Sequence, residues 1–104
     1  MDLDTLNARV TIAIVLAEHA PPGTMEADTL WHRVSLIEEE LASATSVADL
    51  EGLVARRGAV SAALRSGGWM RAHLLALRFT AEENAPADLI DDLREMILKG
   101  EARP

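Results

Sequence analysis

Arginine is the residue of this sequence best placed to act on another molecule. Arg56, Arg57, Arg65 and Arg71 fall within sixteen residues, in "LVARRGAVSAALRSGGWM" and the residue after it, and Trp69 and His73 stand beside them. A guanidinium carries a permanent charge and a planar fork of donors that matches carboxylates and phosphates. Arginine and tryptophan are also the residue types that dominate protein-binding hot spots. These six residues, Arg56, Arg57, Arg65, Trp69, Arg71 and His73, are therefore the candidate partner-binding set. The other chemistry-bearing residues are scattered. His19, His32 and His73 fall on three different expected helices with no acidic helper at metal-ligand spacing, so no metal site is expected. Glu38, Glu39 and Glu40 form a run that reads as a solvated helix face. No Gly-rich phosphate loop, no His-Glu-x-x-His and no nucleophile beside a base appears, so no catalytic residue and no cofactor is expected.

Charge bounds the partner. The formal net charge is −7, which disfavours general nucleic-acid binding, but it is unevenly distributed. Residues 1–51 hold ten acids against Arg9 and Arg33, net −8; residues 52–81 hold five arginines and no acid, net +5; residues 82–104 hold seven acids against three bases, net −4. A basic middle between acidic ends is met either by ion pairs between neighbouring helices or by an acidic partner. With 49% hydrophobic and 26% charged residues, the chain is too apolar for disorder and too interrupted by charge to span a membrane. Cysteine is absent, which removes disulfides and thiolate chemistry. The opening "MDLDTLNARV" lacks a basic n-region, so no signal peptide and a cytoplasmic location are expected. The abundance of alanine, and of arginine over lysine, hints at a bacterial or phage genome.

Five helices must position these residues, and 104 residues suffice for one domain, 1–104. The first is expected from Leu3 to Ala20, apolar nearly all round at "TIAIVLA" and hence buried, with "PPG" ending it. Thr24 is a fair N-cap for the second, Met25 to Ala44, whose Leu30, Val34, Ile37, Leu41 and Ala44 make a short heptad-like seam. Ser46 and Asp49 resemble a capping box at the start of the third. Its stripe is read as Leu50, Leu53, Val54, Val60 and Leu64, with Arg57 near the middle and Arg56 and Arg65 outside. Its glycines and alanines, from Gly52 to Ala63, make a slim side suited to a close neighbour. "SGG" at 66–68 stops it. The fourth helix, Trp69 to Phe79, is apolar almost all round and is expected between other helices. The fifth opens at Pro86 and ends at Gly100. No segment alternates as a strand does, so the fold class is all-α, a compact bundle of about five helices.

Two short likenesses bear on function. "LVARRGAVSAAL" resembles the turn of a helix-turn-helix, with Ala55 at the small position and Val60-Ser61 opening the second helix; the resemblance implies DNA reading by residues 53–71, and departs from the pattern at Arg65 and the following glycines. The Arg56-Arg57 pair resembles that of the all-helical chorismate mutases, which implies electrostatic stabilisation of a pericyclic transition state, but the further lysine and arginine of that pattern fall at Gly67 and Glu39. The expectation is a non-enzymatic helical interaction module, an adaptor, inhibitor or assembly subunit, docking another protein through residues 56–73, with a homodimer plausible. A DNA-binding regulator and an acidic mimic of nucleic acid, such as a phage inhibitor of host defence, are the alternatives.

Overall fold

The helices are set by their ends. In the computed structural model, which describes residues 2–101, α1 is Leu3–His19, α2 Met25–Ser43, α3 Leu50–Arg65, α4 Trp69–Thr80 and α5 Ala87–Glu101. Asp2 caps α1 by accepting from the Thr5 amide at 2.8 Å, and Thr24 caps α2 by accepting from the Ala27 amide at 3.1 Å. At the end of α3, Gly67 takes φ +80°; its N–H donates to the Leu64 carbonyl and that of Gly68 to the Ala63 carbonyl. Those two bonds make a Schellman closure, which needs a left-handed residue at Gly67. No strand occurs among the described residues, and no described helix is long and apolar enough to cross a membrane.

α3 is the hub. It packs against α2, α4 and α5, α4 packs also against α5, and α1 packs against α2, touching α3 through the Asn7–Glu51 side-chain bond. The Cα extents are 38 × 35 × 16 Å. With helix axes roughly 8–10 Å apart, the short dimension admits about two helices, so helices at the margins keep a face toward water. This corrects two expectations. α1 is not buried all round: Leu6, Val10, Ala13 and Ala17 face α2, while Ile12, Val15 and Leu16 are exposed. α4 does lie against other helices, through Ala72, Leu75, Ala76 and Phe79, but its opposite side is open.

The third helix keeps part of the expected stripe, with Val60 buried and Leu53 and Leu64 packed against the core, but its slim side is the one most deeply buried. Leu50 and Val54 are exposed, whereas Gly52, Ala55, Ala59, Ala62 and Ala63 are buried together with Val60. A helix with three packed neighbours is best served by small residues, because they let backbones approach closely. Gly52 shows this most sharply: a methyl group there would overlap the backbone carbonyl of Ser46. That carbonyl belongs to a turn, in which the Ser46 hydroxyl accepts from the Ala48 amide, so Ser46 shapes the approach to α3 rather than capping it. Asp49 stands at the N-cap without a side-chain bond. Gly100 does not end α5, which continues to Glu101; a methyl there would lie 2.8 Å from Leu64 Cδ2 of α3. This glycine provides clearance at a helix crossing.

The Gly52→Ala exchange is expected to destabilise the protein by roughly 1–3 kcal/mol in urea unfolding, because the backbone overlap outweighs the gain of about 1 kcal/mol in helix propensity. An unchanged or raised midpoint would show that the approach of the 46–49 turn to α3 is not tight.

Candidate functional site

Periodicity places Arg56 outside the apolar stripe and Arg57 within it; the structure exchanges them. Because the small face of α3 points inward, Arg56 goes with it and is only 3% exposed. Its Nε and Nη2 donate to the two carboxylate oxygens of Glu82 at 2.6 and 2.9 Å, its Nη1 donates to the Gly52 carbonyl, and Nη2 also reaches the Thr45 carbonyl. The guanidinium lies 5.7 Å from the Phe79 ring centre. Hydrogen bonding from Arg56 holds the Glu82 carboxyl below its ordinary range. Arg56 is thus consumed within the fold, joining the segments before α3 and after α4, and it presents nothing to a partner. Arg57 is part-exposed and pairs through Nε with Asp92 of α5 at 2.7 Å.

Arg71 is equally engaged. Its Nη2 meets Glu39 at 2.7 Å, while Nε donates to the hydroxyl of the fully buried Ser35, which itself donates to the Ala59 carbonyl. Arg78 takes the other Glu39 oxygen at 2.8 Å. One carboxylate of α2 therefore holds two arginines of α4. Burial pushes the Glu39 carboxyl up, but the hydrogen bonds from Arg71 and Arg78 outweigh it and leave it below its ordinary range. The basic middle of the chain is largely answered by carboxylates of the flanking acidic segments, Glu39, Glu82 and Asp92.

Arg65, Trp69 and His73 sit at the surface or partly so. Arg65 is exposed with its guanidinium 4.6 Å from the centre of the Trp31 ring, and Trp69 meets His73 edge to face at 5.4 Å. They adjoin a feature that the sequence reading missed. Trp69, Met70, Leu74 and Leu77 of α4 are each 55–67% exposed. At helical spacing these four and His73 cover an arc of about 140°. No charged residue interrupts it, since Arg71 and Arg78 lean aside toward Glu39. The signal was present in the sequence: a short helix apolar on both sides in a chain of this size has too few neighbours to cover both.

The turn implied by the helix-turn-helix likeness is absent, because residues 50–65 form one unbroken helix through Gly58-Ala59-Val60. The three histidines do not join in a metal cluster; among the described residues no three His, Asp or Glu side chains gather as ligands. The "EEE" run is not a solvated face either. Glu40 is exposed and Glu39 is paired, but Glu38 is 6% exposed and has no hydrogen-bond or ion-pair partner among the described residues. Its carboxyl lies against Gly58, where a methyl group would overlap it. Burial alone pushes its pKa up to about 7.

Arg56→Ala is expected to cost about 3–5 kcal/mol in chemical unfolding, since it strands Glu82 and two carbonyls, and Arg57→Ala less than about 1 kcal/mol. Similar losses for both would contradict the difference in burial. For Glu38, whose pKa is raised on folding, the associated stability is whole below pH 4.5 and is lost as the pH rises through about 7. Glu38→Gln should therefore match the parent near pH 4 and exceed it by up to about 3 kcal/mol above pH 8. Parallel stability curves across that range would show that Glu38 is well hydrated.

No family model, curated protein or solved structure matches this sequence, so the functional reading rests on the geometry of the site.

Proposed function

We propose that this protein is a helical interaction module that acts by docking a partner protein, not by catalysis, through the outer face of α4. The observation that supports this reading is the uncharged apolar arc of Trp69, Met70, Leu74 and Leu77 on a helix whose other side is anchored in the core. Exposed apolar residues scattered singly are ordinary, whereas a continuous row along one helix is the form taken by helix-on-helix interfaces. Trp69 supplies a large anchor, His73 a polar edge beside it, and Arg65, four residues before Trp69, an exposed cation over the Trp31 ring. The candidate set from sequence is thereby narrowed. Arg65, Trp69 and His73 remain as docking residues, and Arg56, Arg57 and Arg71 hold the scaffold.

The partner that suits this face is an amphipathic helix laying its own apolar stripe along α4. A second copy of the chain is one source of such a helix, and a different protein is the other. Leu74→Glu tests the reading because Leu74 is exposed and the substitution is expected to change stability by less than about 0.5 kcal/mol. Tagged parent and variant would be recovered from a nuclease-treated lysate of the source organism and also compared by sedimentation over a range of concentrations. A stoichiometric protein partner, or self-association, that the parent shows and the variant lacks is the expected result. A partner retained equally by Leu74→Glu, or a parent that neither recovers a protein nor self-associates, would overturn it.

A further inference from the structure

A second surface, distinct from the face of α4, is built around Glu38. Where α1, α2 and α3 meet, a groove of about 240 Å³ opens with Glu38 and Leu41 on the α2 side and Leu50 and Val54 on the α3 side. Glu51 lies at its edge, held by the side-chain amide of Asn7 at 3.0 Å. No cation is among the residues that line the groove. Every buried side-chain nitrogen or oxygen fully sealed from water among the described residues has a hydrogen-bond partner, so the unpartnered Glu38 carboxylate still opens onto the groove it lines. The protein elsewhere answers its buried and half-buried carboxylates with arginine: Glu39 has two and Glu82 one. Glu38 is the buried carboxylate left without one. Gly58 is what lets it stay inside, since any side chain there would displace it.

We propose that this groove receives a basic side chain, lysine or arginine, presented by a partner protein, with its aliphatic stem between Leu50 and Val54 and its charged end on Glu38. Three observations point to that occupant. Leu50 and Val54, 77% and 55% exposed, offer apolar walls of the kind along which a lysine or arginine stem lies. The two carboxylates make the groove electrostatically complementary to a cation. Its volume is below the range typical of drug-sized ligands, and suits one long side chain.

The test uses the full chain and five-residue capped peptides, alanine throughout except for a central lysine, arginine or norleucine, titrated at pH 8 with backbone amide NMR signals of Val54, Ala55 and Gly58 as the readout. The lysine or arginine peptide should shift these signals and bind about tenfold or more tightly than the norleucine peptide. Glu38→Gln, which keeps the shape and removes the charge, should erase that difference. Equal binding of the norleucine peptide, or a preference for the cation that survives Glu38→Gln, would overturn the proposal, as would no shift with either basic peptide. Butylamine binding as tightly as the lysine peptide would overturn the assignment to a protein partner in favour of a free amine. Leu74→Glu leaves this site untouched, so failure here and failure of the α4 reading are separable.

Discussion

A single buried guanidinium ties the segment before α3 to the segment after α4. Arg56 leaves α3 on the side that faces its neighbours, and four of its N–H···O contacts are made inside the protein, two to Glu82 and one each to the carbonyls of Gly52 and Thr45. Taking a charge out of water is costly unless the partner is ionised and the remaining donors are satisfied. Here the partner is a carboxylate, and each of the three guanidinium nitrogens finds an acceptor. The consequence extends beyond the pair itself: Thr45 precedes α3 and Glu82 follows α4, so one side chain joins two connecting segments that the sequence places far apart.

The rest follows from the size of the chain. About a hundred residues arranged two helices thick cannot cover every apolar side, and α3 claims most of the available neighbours. Its approach to them is made by glycine and alanine rather than leucine, which moves Leu50 and Val54 outward and Arg56 inward. The same shortage leaves Ile12, Val15 and Leu16 of α1 and the arc on α4 open to water. Charge then does what apolar contact does not. α2 and α4 are tied by Glu39 to Arg71 and Arg78, a link made by long side chains.

Helix ends were legible because their chemistry is local. Asp2, Thr24 and the Ser66-Gly67-Gly68 closure act within a few residues of themselves, and five helices were read within a residue or two except at the start of the third. Helix faces were less legible. Periodicity says which residues share a side, but not which side meets the core: the stripe places Leu50 and Val54 inward with Val60, and the close packing of α3 turns those two outward and the glycines and alanines inward. The slim side of glycine and alanine is suited to a close neighbour and does meet one, but the apolar stripe competes with it for the core side, and that competition exchanges Arg56 and Arg57; at Gly100 a glycine that reads as a stop provides clearance instead. The complementarity of the charge blocks was legible as an alternative, and the ion pairs of Arg56, Arg57, Arg71 and Arg78 realise it.

Glu38 escaped for a related reason. The run of three glutamates has the composition of a solvated face, although Glu38 sits one turn after Val34 and one residue after Ile37, on the side of α2 that Leu41 continues. Its position predicts burial; its type predicts exposure. The conflict is resolved by Gly58, one of the few positions on α3 where the absence of a side chain leaves room for a carboxyl group. A chain that places an arginine on Glu39 and another on Glu82 has the means to place one here, and instead has Leu50 and Val54 beside an open groove. An apolar residue at 38 would pack against α3 without an electrostatic cost, so a buried carboxylate with no cation of its own is explained better by what can enter the groove than by what it contributes to the fold.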